Sequence, residues 1–272
     1  MSREVRALSN RDAETFDSRT PSTRQPFARL RRSFARRACD GIIRGARLAL
    51  PQRCELCMAA AGNALLCAEC TAALPRLPDA CEVCALPSPG GAICGACLAH
   101  RPSYAATIAA LVYAFPVDRM LQQLKYGGRL ALADWAAAAL AAAVETALVR
   151  RAESAWPDRI VALPLAVARQ RERGFNQAHE IASRVAPVTA LPLATPLVRI
   201  ASGPPQAVLS WSRRASNIRG AFAVVGEVRD AHIALVDDVM TTGATLAEAA
   251  RTLRRAGAAR VECWVVARTL RS

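Results

Sequence analysis

Eight of the ten cysteines fall in four Cys-x-x-Cys pairs, and no other feature constrains the fold of this chain so tightly. Cys54, Cys57, Cys67 and Cys70 recur as Cys81, Cys84, Cys94 and Cys97, each displaced by 27 positions. A Cys-x-x-Cys turn presents two thiolates from one tight knuckle, and two knuckles complete a tetrahedron around zinc. Four knuckles therefore predict two structural Zn2+ ions, with every position of each tetrahedron filled by protein. Knuckles can be paired in three ways. The repeat favours sequential pairing, 54/57 with 67/70 and 81/84 with 94/97, over an interleaved one. A redox dithiol is the competing reading, but four equivalent pairs suit ligands better than one catalytic pair. Disulfides suit short secreted chains. This one has 272 residues and lacks the apolar core of a secretory signal.

The net charge is +14 and uneven: residues 1–53 carry 13 arginines against five acids, a net +8. A solvated basic tail and a surface for nucleic acid or another polyanion are the two readings of that arm. At 53% hydrophobic residues a substantial core is expected and wholesale disorder is not. No apolar run reaches the roughly 18 to 20 uninterrupted residues of a membrane helix. The longest, Trp135 to Val149, is mostly alanine and carries Glu145. The expectation is a cytoplasmic protein with no membrane span.

Composition divides the chain into a disordered basic tail (1–26), a basic amphipathic helix (27–50), a double zinc ribbon (51–100) and an α/β domain (105–272). In the last, Ile160–Leu165, His232–Asp238 and Val261–Ala267 read as buried strands. Residues 177–186 and 245–257 read as helices, the second closed by Gly257. Strands alternating with helices imply a parallel sheet covered on both faces. Cys263 reads as a small buried hydrophobe; His100, His179 and His232 read as surface or helix-end residues without triad or metal spacing.

One strand ends in unusual chemistry. In ALVDDVMTTGATL, Asp237 and Asp238 lead through two apolar residues into Thr241, Thr242, Gly243, Ala244 and Thr245, then into a helix. A turn entering a helix offers unpaired N–H groups and the positive end of the helix dipole, which suits a phosphate. Paired carboxylates beside it suit the 2′- and 3′-hydroxyls of a ribose 5-phosphate, since carboxylates accept hydrogen bonds strongly. The chain has no Walker A loop around its only lysine, Lys125.

This stretch resembles the phosphoribosyl pyrophosphate (PRPP) signature of type I phosphoribosyltransferases. With a double Cys-x-x-Cys module ahead of it, the chain resembles the ComF family. LKYGGR (124–129), PLAVARQRERGFNQA (164–178) and QAVLSWSRRASNIRGAF (206–222) fit the same family, with Val208 where members often carry glycine. The resemblance implies a type I phosphoribosyltransferase-like parallel sheet with flanking helices, preceded by a double zinc-ribbon module. It implies that Asp237 and Asp238 hold the ribose and favour an oxocarbenium-like transition state. It implies that Thr241–Thr245 hold the 5′-phosphate, that Arg173, Gly174, Asn176 and Gln177 meet the pyrophosphate with its Mg2+, and that Lys125 meets phosphate or a second substrate. The loop carrying Gln206, Arg214 and Asn217 is expected over the site. The implied role is DNA uptake or related nucleic-acid handling, by a phosphoribosyltransferase of unknown acceptor, with competence-machinery proteins as partners. A non-catalytic PRPP sensor whose zinc module and basic arm hold single-stranded DNA is the alternative; a nucleobase-salvage enzyme is a third.

Overall fold

The computed structural model describes residues 52–149, 156–200 and 218–270. The basic tail (1–26), the amphipathic helix (27–50), Cys39 and the loop residues Gln206, Arg214 and Asn217 lie outside the described residues.

The repeated module comes first. Strands β1 (Gln52–Arg53) and β2 (Ala60–Gly62) form an antiparallel hairpin, followed by helix α1 (Ala68–Ala72). The second copy has no such hairpin and ends in helix α2 (Gly95–Ala99). Then comes the sheet: β3 (Thr107–Val112), β4 (Arg159–Ala162), β5 (Leu193–Ala194), β8 (His232–Met240) and β9 (Arg260–Arg268), in the order β3-β9-β8-β4-β5. Every pairing is parallel. Between them run α3 (Val117–Tyr126), α4 (Ala131–Val149), α5 (Val167–Arg173), α6 (Gln177–Thr189) and α7 (Ala244–Arg255). A two-stranded antiparallel sheet, β6 (Leu197–Arg199) with β7 (Phe222–Val224), forms the stem of the segment between them.

The α/β expectation is met, and its physical cause is plain in β8 and β9. Side chains alternate across a strand, yet both faces here are apolar. Ala234, Val236, Trp264 and Val266 join one core with Leu121, Leu124, Leu140, Val144 and Ile181 from α3, α4 and α6. Ile233, Leu235, Cys263 and Val265 join a second with Leu246, Ala249 and Leu253 from α7. Cys263 is fully buried, as read from the sequence. The cysteine repeat divides between these layers. Cys54, Leu66, Cys67 and Leu74 of the first copy pack into the first core, whereas Cys81, Val83, Cys84 and Cys97 pack into the second.

Three differences from the sequence reading have physical reasons. Helix α4 is 19 residues long, and by length and composition it could cross a membrane. Its apolar side is the core side: Leu132, Trp135, Ala136, Leu140, Val144 and Leu148 are buried within the protein. The strand expected over Ile160–Leu165 stops at Ala162, and the chain turns into α5 instead. His232 is buried, not on the surface: its Nε2 lies 3.4 Å from Glu262 and its Nδ1 3.0 Å from the Trp156 carbonyl. Glu262 also accepts from Trp264 Nε1 at 2.7 Å, so a polar cluster sits at the amino end of the sheet.

Leu235 lies fully buried at the middle of the central strand. Leu235→Ala is expected to cost about 2–5 kcal/mol through lost burial and the residual cavity, measured by urea denaturation of the full chain.

Candidate functional site

The cysteines group sequentially. Sγ atoms of Cys54, Cys57, Cys67 and Cys70 lie within 4.8 Å of one another, as do those of Cys81, Cys84, Cys94 and Cys97. Cys57 and Cys67 stand 3.7 Å apart, as do Cys84 and Cys94. A tetrahedron of thiolates at about 2.3 Å from zinc separates its sulfurs by about 3.8 Å; a disulfide would need about 2.05 Å. The donor set thus fits zinc. Backbone amides already face the sulfurs: Cys70 N–H donates to Cys67 Sγ at 3.4 Å and Cys94 N–H to Cys81 Sγ at 3.3 Å. Burial works against ionisation of Cys54, yet amides of Cys67, Cys57 and Leu56 outweigh it and bring the thiol down to about 6. The equivalent Cys81 is brought to about 7 in the same way. One thiolate in each cluster is thus favoured, while the crowded neighbouring sulfurs push the Cys70 thiol up and burial pushes up that of Cys97, so the remaining protons leave as a metal binds.

The second cluster sits at the carboxyl end of β8, where ligands collect in open parallel sheets. Val236 C=O accepts from Leu163 N–H (2.9 Å), which brings the exit of β4 beside the acid pair. Asp238 is buried and its Oδ2 lies 2.8 Å from Lys125 Nζ at the end of α3. Asp237 Oδ1 accepts the Asp238 amide at 2.8 Å. Burial pushes the Asp237 carboxyl well above the usual carboxylate range, and the Asp238 carboxylate adds to the effect. For Lys125 burial alone would favour the neutral amine, but Asp238 and then Asp237 outweigh it, so the ammonium is held more firmly than usual.

Two residues further on, the chain turns into α7. Gly243 has φ 81°, and a side chain there would meet the Tyr104 hydroxyl at 2.9 Å, so only glycine fits. Ala247 N–H closes the first turn onto Gly243 C=O at 2.8 Å, and Ala244 N–H meets Thr242 Oγ1 at 3.3 Å. The amides of Thr242, Gly243, Thr245 and Leu246 take no acceptor among the described residues. This is the open N-terminus that the sequence implied.

The polar loop residues after β4 divide in their roles. Asn176 caps α6, accepting from Ala178 N–H (3.0 Å) and donating to Leu163 C=O (3.0 Å). Gln177 is buried and accepts from Arg173 at 3.0 Å. Gly174, at φ 75°, ends α5. These three fix the loop. Arg173 stacks 4.8 Å from the centre of the Tyr126 ring, next to Lys125, and that ring is 70% exposed. Sequence reading missed Arg199 on β6, 5.5 Å from the Phe222 ring centre. Burial weakens its hold on the proton, Arg169 adds repulsion, and Asp237 opposes both. It also missed Glu248, which accepts Gly220 N–H at 2.7 Å and pins the β7 side of the stem.

Comparison with known proteins agrees with this layout. A family model for the phosphoribosyl transferase domain matches residues 138–272, and one for the double zinc ribbon domain matches residues 46–98. DNA utilization protein YhgH from Salmonella typhi is 34% identical over 171 residues, covering 62% of this chain and 74% of that protein. Competence protein F from Haemophilus influenzae is 30% identical over 171 residues, covering 61% and 74%. The chain belongs to the ComF family. A solved purine phosphoribosyltransferase from Pyrococcus horikoshii is also similar, at 20% identity and a TM-score of 0.32 over 50% of this chain and 73% of that one. For a ComF-family chain the two four-cysteine clusters and the acid-to-helix turn are thus the sites of chemical interest.

Elemental analysis of the purified full chain is expected to give about two zinc ions per chain, falling to about one in Cys67→Ser/Cys70→Ser. Asp237 yields a second prediction. Its native pKa is raised, so between the ordinary carboxylate range and that raised value the native state holds a proton that the unfolded chain has lost. Native stability then falls as pH rises through that window. Asp237→Asn should remove this loss, giving a thermal midpoint above the wild type's at pH 8 and close to it at pH 4.

Proposed function

We propose that the turn at the end of β8 binds PRPP and that the chain is a phosphoribosyltransferase-type protein of DNA uptake or related nucleic-acid handling. One observation carries this reading: three residues separate Asp238 from the open amides of Thr242, Gly243, Thr245 and Leu246, on the same strand-to-helix turn. Hydroxyls of a ribose fit the carboxylates and its 5′-phosphate fits the amides. Arg169 and Arg199, close enough to repel, support a place for the pyrophosphate with its Mg2+. Arg173, stacked on the ring of Tyr126, the neighbour of Lys125 in sequence, and held by Gln177, is a further cation for the pyrophosphate. The names of the relatives, DNA utilization protein and competence protein, support the wider role, as do the cytoplasmic setting expected from the sequence and the arginine-rich arm before the ribbons.

If turnover occurs, the bond between C1 of the ribose and the pyrophosphate oxygen breaks as an acceptor attacks C1. The acid pair favours the positive charge that develops on the sugar once Asp237 gives up the proton that its burial favours. A second reading, a PRPP sensor that does not turn over, has an observation of its own. Lys125 contacts the acid pair but is held protonated, so it cannot take a proton from an acceptor.

Asp237→Asn/Asp238→Asn is expected to abolish PRPP binding in titration calorimetry, a loss of at least about a hundredfold, while circular dichroism stays unchanged. Unchanged affinity would remove the ribose assignment. Pyrophosphate release from PRPP, measured against a panel of bases and single-stranded oligonucleotides, separates the readings: release with one acceptor identifies an enzyme, and binding without release a sensor.

A further inference from the structure

The two metal clusters have different relations to the PRPP turn. Arg268, the last residue of β9, is only 2% exposed. Its Nε donates to the Cys84 carbonyl at 2.8 Å. Its Nη1 donates to the carbonyls of Met240 (3.0 Å), Thr241 and Thr269 (2.9 Å). One guanidinium therefore joins a zinc knuckle to the peptide units that lead into the open amides. The same knuckle is fastened at its other carbonyls. Glu82 C=O accepts from Thr107 N–H at 2.9 Å, and Val83 C=O from Thr107 Oγ1 at 2.6 Å. Three consecutive carbonyls, of Glu82, Val83 and Cys84, thus face the sheet, a presentation that depends on the fold of the knuckle. Behind the turn stands Tyr104, buried between the second ribbon and β3, with its hydroxyl against Gly243.

The first cluster lacks such a tie among the described residues. Its polar links run from Glu55 to Arg129 (2.5 Å) and from Pro75 C=O to Val112 N–H (2.8 Å), neither of which reaches residues 237–246. It packs on the other face of the sheet.

We propose that Arg268 is a positioning residue through which the second four-cysteine site, and not the first, holds the phosphate-binding turn in shape. A metal in the second site fixes the Cys81–Cys84 knuckle; the knuckle fixes the Nε end of the guanidinium; the Nη1 end orients the Met240 and Thr241 peptides. Only a fork reaches both partners, because a lysine ammonium has one donor centre. The inference rests on the PRPP reading for the identity of the ligand, but the mechanical tie can be read without any ligand.

The test is hydrogen exchange of the full chain, followed by mass spectrometry over residues 239–247, with zinc content measured alongside. Arg268→Lys should keep about two zinc ions and speed exchange of the hydrogen-bonded turn amides, Ala244 (to Thr242 Oγ1) and Ala247 (to Gly243 C=O), by about tenfold. Cys94→Ser/Cys97→Ser should lose about one zinc and give the same acceleration. Cys67→Ser/Cys70→Ser should lose about one zinc and change exchange there by less than about twofold. Arg268→Lys combined with Cys94→Ser/Cys97→Ser should be no faster than either alone, since both cut one tie. Equal acceleration from the first-site variant, no change in Arg268→Lys, or additive effects would overturn the proposal. Should Cys94→Ser/Cys97→Ser fail to fold, Arg268→Lys against the first-site variant still decides it. PRPP affinity is then measured in the same proteins. The expected exchange pattern without PRPP binding in the wild type would leave the tie standing and remove the ligand.

Discussion

Everything at the mouth of the sheet follows from one electrostatic constraint: two adjacent carboxyls at the end of a strand buried on both faces. Taking charge out of water is costly, and like charges side by side add to the cost. The chain meets it unequally. Asp238 is buried against the only lysine, 2.8 Å away, while Asp237 is driven toward its protonated form. A pair built only for stability would not be placed so. Asparagine at either position would pack without the conflict, which is the usual mark of a site whose strain serves a ligand. Positioning Lys125 for this pairing also requires α3 to end where it does. Its buried stripe, Val117, Met120, Leu121 and Leu124, sets that helix on the first core and points its last turn at the acids.

The second constraint is the division of the cysteine repeat. Two copies of identical cysteine spacing have each been absorbed into a different layer of the same sheet, one against α3 and α4, the other against β3 and the turn into α7. A ribbon that dangled from the domain would carry its zinc as a private matter of local stability. Here part of each knuckle belongs to the core: Cys54 and Cys81 are as buried as the strand centres, although Cys57 faces solvent. Zinc binding at these clusters would therefore be linked to folding of the sheet, since four sulfurs come together only in the folded module and the binding free energy then adds to that of folding.

What the sequence made legible was local. The strand-turn-helix from β8 into α7, with its acids, threonines and glycine, is contiguous. So is the cysteine repeat, whose sequential grouping is the one the 27-residue displacement favours. Strands β8 and β9 announce themselves as mostly apolar stretches, Ile233–Val236 and Cys263–Ala267, as doubly covered parallel strands do. Less visible was α4, whose alanines give no clear stripe, so that its apolar length raises a membrane question that only its packing answers. Long-range partners were out of reach. Arg268 and Cys84 are 184 residues apart. Arg199 acquires meaning only when β6 is folded beside Asp237. Asn176 and Gln177 carry polar groups that suit a phosphate, yet local geometry employs them first as a helix cap and as the acceptor for Arg173. Residue type shows what a side chain can bond; only the register of β4 against β8 shows what is near enough to be bonded.

The same distinction bears on the glycine of the turn. From sequence, Gly243 reads as a place of close backbone approach, and its left-handed backbone, φ 81°, calls for glycine as well. The structure adds a second and independent reason. A methyl group there would strike the Tyr104 hydroxyl at 2.9 Å, and Tyr104 is anchored by the segment that links the second ribbon to β3. The turn is thus squeezed between a side chain from the ribbon side and a guanidinium from β9, so its open amides are oriented before any ligand arrives. Preorganised donors give a bound phosphate more of their strength, because little ordering remains to be done on binding. In this fold the small metal-binding module and the ligand-binding end of the sheet are accordingly parts of one mechanical unit.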